Sequence, residues 1–267
     1  MKFVCGVQYN GSLYKGWQKQ HSIPTIQYFL EKAISEIANH SIHVICAGRT
    51  DSGVHSFGQV VHFETLAKRS LIVWFRGINA LLPKDITILW IKKISKNFNA
   101  RFSAIARFYR YIIFNHTLRS SFFLEYYYYV YKFLNIFKMK KVSQYLLGEH
   151  NFLNFEGSQK NFKNCTYRKI FKICIFRIKK FIIIDIVANS FLYHMVRNIV
   201  GALLLVGLSK KSEFWFKNLL YSKDSEKVYT TVPACGLYLM AVIYPDYFGI
   251  PIYFSKERFK DFFSFFY

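Results

Sequence analysis

The stretch "AGRTDSGVHSFGQVVHF", residues 47 to 63, brings an arginine, an aspartate and a histidine together before an alternating, β-branched run. Asp51 stands two residues after Arg49. An arginine close to a carboxylate favours the ionised form, which a nucleophile or a charge stabiliser needs. Thr50-Asp51-Ser52-Gly53 also suits a hairpin turn, because Asp caps its own backbone and Gly closes the turn without a Cβ clash. The loop alone leaves both readings open.

Two other segments could do chemistry. In "RFYRY", residues 107 to 111, strand alternation puts Tyr109 and Tyr111 on one face and Phe108 and Arg110 on the other. Aromatic rings interleaved with arginine suit base stacking, and equally the core of a chain that is 20% aromatic. In "ANSFLYHMVRNIVG", residues 188 to 201, Ser190 is the expected N-cap of a helix carrying Met195, Ile199 and Ala202 on one face. Arg197 falls among its apolar residues, and a buried arginine needs a partner. Asp185 and Glu213 are not at helical spacing from it, which makes Asp51 the attractive one.

The elements that must position these residues alternate in a regular order. Residues 2–9 read as a strand, 23–39 as an amphipathic helix, 42–48 and 59–65 as strands around the 47–57 loop, 71–82 as a helix stopped by Pro83, and 86–94 as a strand. That β-α-β-β-α-β order is ferredoxin-like or RRM-like. A second half repeats it with longer pieces: a strand at 106–115, a helix at 133–148, two strands within 167–188, a long helix at 190–208 and a closing strand at 236–244. The expected fold class is α+β, two such halves with a central, mainly antiparallel sheet and a cleft between them. The expected boundaries are 1–100, 101–245 and an unassigned extension, 246–267.

Composition narrows the partners. The 37 Lys and Arg against 15 Asp and Glu give +22, which points to a polyanion such as nucleic acid. A surplus of Lys, Ile, Asn, Phe and Tyr is also what A/T-rich coding produces, so charge alone weighs little. The five cysteines include no C-x-x-C pair and the eight histidines no close ligand spacing, so neither a disulfide framework nor a metal is expected. The longest apolar run, "IVGALLLVGL" at 199–208, is about half a bilayer span, and no membrane role is expected. A reduced, cytoplasmic setting fits.

Taken together, "GRTDSGVHSFGQVVHF", "YNGSLYKGWQKQ", "FNARFSAIARFYRYIIFN", "LLGEHNF", "ANSFLYHMVRNIVGALLLVG" and "GLYLMAVIYP" resemble, in order, the TruA-type tRNA pseudouridine synthases. The resemblance runs from about residue 3 to 245. It implies the pseudouridine synthase fold and an isomerase that converts uridine to pseudouridine at positions 38, 39 and 40 of the tRNA anticodon stem-loop. It also implies a homodimer acting without metal or cofactor. By the same resemblance Asp51 is the catalytic nucleophile, Arg197 pairs with it, Tyr109 stacks on the base, Arg49 helps hold the nucleotide out of its stack, and Arg69 contacts tRNA. Ser52 and Ser56 stand where the family usually has alanine. The segments 117–132 and 151–165, the latter with Glu156 in place of basic character, depart from the pattern. The alternative from another class is a non-catalytic RNA-binding protein with RRM-like units, using Tyr109 and Tyr111 as a platform.

Overall fold

The computed structural model describes residues 1–157, 165–221 and 230–252. The protein is mixed α+β with mostly antiparallel strands. The chain divides into two compact units, Met1–Arg107 with Tyr238–Tyr267, and Phe108–Leu237.

The first unit begins β1 (Lys2–Tyr9), α1 (Ile26–Ala38), β2 (Ile45–Cys46), β3 (His55–Glu64), α2 (Leu71–Leu81) and β4 (Ile86–Lys93), the element order that periodicity predicts. β1 lies between β3 and β4, antiparallel to both, with Val4 opposite His62 on one side and Lys92 on the other. α1 buries Ile26, Leu30, Ala33 and Ile34, a stripe at the helical period. They join Phe3, Cys5, Val7 and Phe63 of the sheet in one core, and α2 adds Trp74, whose ring lies 5.6 Å from Phe3 and 5.5 Å from Phe63. Ser70 caps α2, its hydroxyl accepting from Val73 N–H.

In this unit the boundaries around the loop differ most from expectation, and α1 starts three residues later than expected. β2 has two residues rather than seven, and β3 starts at His55 rather than Gln59, so the connecting loop is 47–54. The early start of β3 has partners invisible to local pattern: the closing strand runs parallel to it, with Tyr238 opposite His55 and Leu239 opposite Ser56, and Tyr9 of β1 also faces Ser56.

The second unit holds β5 (Ala106–Asn115), which starts just before the division, and then β6 (Tyr128–Val130), α3 (Ile136–Ser143), β7 (Gly148–Asn151), β8 (Tyr167–Ile178), β9 (Phe181–Ala188), α4 (Met195–Gly207) and α5 (Glu213–Tyr221). β9 is flanked by β5 and β8; β7 extends the sheet beyond β8, and β6 pairs parallel with β5. Phe181 to Ile184 are all buried, as a central strand requires. The final strand, β10 (Leu237–Ile243), falls from Tyr238 onward in the first unit, although its place in the chain groups it with the second half.

β6, β7 and α5 have no counterpart in the sequence-based layout. Residues 158–164 of the divergent 151–165 segment and 253–267 of the C-terminal extension lie outside the described residues. Among the described residues no helix is long and apolar enough to cross a membrane.

Candidate active site

The 47–54 loop connects β2 to β3, and Asp51 sits at its turn, half-buried, with Arg49 exposed beside it. The loop is held along its length. Ala47 N–H donates to Val60 O at 2.8 Å, Gln59 Nε2 donates to Gly48 O at 2.6 Å, and Trp17 N–H donates to Thr50 O at 2.9 Å. Gly53 N–H and Ser52 Oγ both reach Tyr14 O, at 3.4 and 3.2 Å, and Val54 N–H closes the turn on Asp51 O at 3.2 Å. Gly53, at φ 78, takes the left-handed conformation expected of a turn glycine, whereas Gly48 is not among the positive-φ residues. Both readings of the loop therefore meet in one object: a tight turn, and an acidic side chain mounted on it.

The segment Tyr9 to Gln20 is the other half of the mounting. A Cβ on Gly11 would lie 1.9 Å from Val54 O, and one on Gly16 would lie 2.9 Å from Thr50 O. These glycines allow two loop backbones to touch, which explains "YNGSLYKGWQ" physically. The first of these loops is tied in turn to α1, because Gln27 N–H donates to Trp17 O and Lys19 N–H to Gln27 Oε1. Glu31, 5% exposed, gathers Gln27 Nε2, Lys19 Nζ, Val44 N–H and His43 Nδ1 within 3.1 Å.

Arg107 supports the same loop from its start. Its Nη2 donates to Ala47 O at 3.1 Å and to Arg101 O at 2.7 Å, and its Nη1 to Ala104 O at 3.2 Å. Cys46 adjoins the loop but is no rival nucleophile: burial pushes its thiol up to about 12, against the weaker opposing effect of Arg49. Arg69 lies exposed in the link between β3 and α2.

Tyr109 and Arg197 belong to the second unit. Tyr109, on β5, is 9% exposed and meets Phe191 edge-on at 5.0 Å. Arg197 is half-buried in the first turn of α4, its Nε donating to Val232 O at 2.8 Å. The next residue, Asn198, accepts from Thr231 Oγ1 at 2.6 Å and donates to Phe155 O at 2.8 Å, so the helix start is tied to two chain segments.

Ser190 is not the cap of α4. The cap position is His194, at φ 58, and Met195 is the first helical residue. Asn189 Oδ1 accepts from Ser190 N–H and Gly157 N–H donates to Tyr193 O, which fixes both ends of the segment before the 193–194 turn. A left-handed non-glycine residue costs about 1–3 kcal/mol, so the packing around Arg197 sustains local strain.

The two acids weighed above as partners for Arg197 are engaged elsewhere. Asp185 accepts Arg110 Nε at 2.5 Å and Nη2 at 2.6 Å. Glu213 takes Lys141 Nζ at 2.7 Å and the Tyr145 hydroxyl.

The comparisons fit this arrangement. A family model described as tRNA pseudouridine synthase matches residues 6–103 and 142–245. The chain belongs to that family. It is 51% identical over 251 residues to the tRNA pseudouridine synthase A of Buchnera aphidicola subsp. Acyrthosiphon pisum (strain Tuc7), covering 93% of each chain. It is 52% identical over 252 residues to the protein of that name from the Schizaphis graminum subspecies, covering 94% of this chain and 95% of the relative. With that of Salmonella arizonae it shares 46% over 250 residues, covering 94% and 92%. Asp51, Arg49, Arg69 and Arg197 fall in the matched stretches, and Tyr109 lies between them.

Tyr9, Gln59, Arg107 and the two glycines were not singled out by the sequence reading. Gly11 and Gly16 carried a usable signal, since two glycines five residues apart in a polar loop point to close backbone contact. Buried Gln59 and Arg107 carried none, because which loop they face is decided by strand pairing.

Proposed function

We propose that this chain isomerises uridine to pseudouridine at positions 38, 39 and 40 of the tRNA anticodon stem-loop, with Asp51 as the carboxylate at the reacting sugar or base. The observation carrying this reading is the mounting of Asp51: a half-buried acid on a loop whose neighbours on both sides are hydrogen-bonded to the surrounding fold. It stands in a chain of the tRNA pseudouridine synthase family.

The reaction breaks the N1–C1′ bond of uridine, turns the uracil and joins C5 to C1′; C5 loses its proton and N1 gains one, so there is no net redox change. A carboxylate serves this by attacking C1′ or C6, or by stabilising charge and accepting the C2′ proton in a glycal route. Each route requires the base outside its stack. In this reading Tyr109 replaces the lost stacking, Arg49 helps keep the nucleotide extruded, Arg197 supplies the counter-charge to Asp51, and Arg69 holds backbone phosphate. The protein acts as a cytoplasmic homodimer without metal or cofactor.

The test is incubation of the protein with unmodified tRNA, followed by carbodiimide mapping of pseudouridine. Product is expected at positions 38 to 40 with wild type and none with Asp51→Asn, whose tRNA affinity and melting temperature stay near wild type. Turnover by Asp51→Asn would remove the carboxylate from the mechanism. Binding without product by wild type would favour an RNA-binding module.

A further inference from the structure

Beneath the 47–54 loop lies a set of buried polar side chains that the chemistry above does not use. The Tyr9 hydroxyl and Thr50 Oγ1 are 2.8 Å apart, and Gln59 Nε2 donates to the Gly48 carbonyl at 2.6 Å. Tyr9, Thr50 and Gln59 are 2%, 7% and 0% exposed. Polar atoms this deep destabilise the fold unless paired, and for Tyr9 and Thr50, whose bond joins two side chains, apolar residues of similar shape could replace both partners at little cost. Their presence calls for a use that apolar packing would not serve.

The placement of the bonds indicates that use. They reach Gly48 and Thr50, the residues on either side of Arg49, and Thr50 immediately precedes Asp51. Both anchors rise from strands: Tyr9 closes β1, and Gln59 lies on β3 opposite Val7 of β1. Trp17 N–H takes the Thr50 carbonyl, so Thr50 is gripped through both its side chain and its backbone. Burial raises the Tyr9 pKa, so its phenol stays protonated at any working pH.

We propose that Tyr9 and Gln59 are positioning residues for the isomerisation: they fix the backbone on both sides of Arg49 and thereby aim the Asp51 carboxylate at the reacting atoms. This rests on the reading of Asp51 above. A displacement of about 1 Å at a reacting group can cost on the order of a hundredfold in rate. A pair that merely stabilised the fold would leave the rate per folded molecule unchanged.

The experiment measures single-turnover rate at saturating tRNA, tRNA affinity, melting temperature and amide exchange of residues 47–54 without tRNA. Tyr9→Phe is expected to slow turnover about 10- to 100-fold, to leave affinity within about twofold, and to speed exchange in the loop. Thr50→Val should match it, whereas Thr50→Ser, which keeps the hydroxyl, should restore most of the rate. The double variant Tyr9→Phe/Thr50→Val should be no slower than Tyr9→Phe alone, because Thr50→Val removes a bond that Tyr9→Phe has already removed. Active wild type with Tyr9→Phe at full rate, or single effects that multiply in the double, overturns the proposal alone. A wild type that makes no pseudouridine removes the reaction and the proposal with it, while loop exchange still reports whether the anchor exists. Should Tyr9→Phe fail to fold, the Thr50 pair decides the matter, since a Thr50→Val rate equal to Thr50→Ser would overturn it.

Discussion

Arg107 and Arg110 are three residues apart on β5, and each is buried, yet their charges are met in unlike ways. Arg107, in the first unit, spreads its guanidinium over the carbonyls of Ala47, Arg101 and Ala104. Arg110, in the second, grips both oxygens of Asp185 and lies 5.7 Å from the Phe108 ring and 5.9 Å from that of Phe176. Converging carbonyl dipoles thus meet at least part of a buried guanidinium's demand, beside the carboxylate that meets that of Arg110. Arg197 also uses a carbonyl, its Nε donating to Val232 O, and its proposed role toward Asp51 rests on family membership and on experiment.

Arg110→Met would strand Asp185, whose side chain is 16% exposed, and an uncompensated buried carboxylate costs about 3–5 kcal/mol. Urea denaturation should show that loss, and Arg110→Met/Asp185→Leu should recover most of it, because apolar packing can replace a buried ion pair. A loss below about 1 kcal/mol for the single variant would mean that the pair is solvated and the contrast false.

Arg107→Met removes donors from three carbonyls, and a loss of about 1–3 kcal/mol, smaller than that of Arg110→Met, is expected. Because Ala47 opens the Asp51 loop, turnover per folded molecule should fall as well. Arg110→Met should not show that second effect once the folded fraction is corrected for. An equal effect on turnover from both would mean that the loop responds to general loosening rather than to its own anchor.

The same two arginines show what could be read in advance. The first six elements were legible because their patterns are local: Ile26, Leu30, Ala33 and Ile34 recur at the helical period, and Ser70 and Pro83 bracket α2. Asp51 and its turn were legible for the same reason, since Asp51 O accepts from Val54 N–H three residues on and Gly53 supplies the left-handed turn position. What was missed depends on distant partners. Gln59 lies eleven residues from Gly48, Arg107 sixty from Ala47, and Arg110 seventy-five from Asp185. β10 pairs with the start of β3 from across the chain, and the α4 cap falls at His194, next to a Tyr193 carbonyl that accepts from distant Gly157 N–H. β7, with the polar sequence Gly-Glu-His-Asn, has no alternation to reveal it.

An exposed arginine completes the series and is expected to have the smallest effect on the fold. Arg69 donates only a long 3.3 Å bond to its neighbour's carbonyl among the bonds described, so Arg69→Gln should move stability by no more than about 0.5 kcal/mol. Its expected use is phosphate. Each phosphate engaged contributes roughly 0.7 to 0.9 to the slope of log affinity against log salt, so Arg69→Gln should flatten the slope by about that amount and weaken binding to any tRNA alike. Tyr109→Leu supplies the contrast, since its ring is 9% exposed and carries no charge. It should leave the slope unchanged while cutting single-turnover rate, because the lost plane matters only to an extruded base. Filter binding across a salt series, run beside the turnover assay, measures both. A changed slope with full turnover in Tyr109→Leu would assign the tyrosine to general RNA binding. An unchanged slope in Arg69→Gln would leave this arginine outside the tRNA surface, and the division between buried arginines that hold the fold and exposed ones that hold the substrate would have to be redrawn.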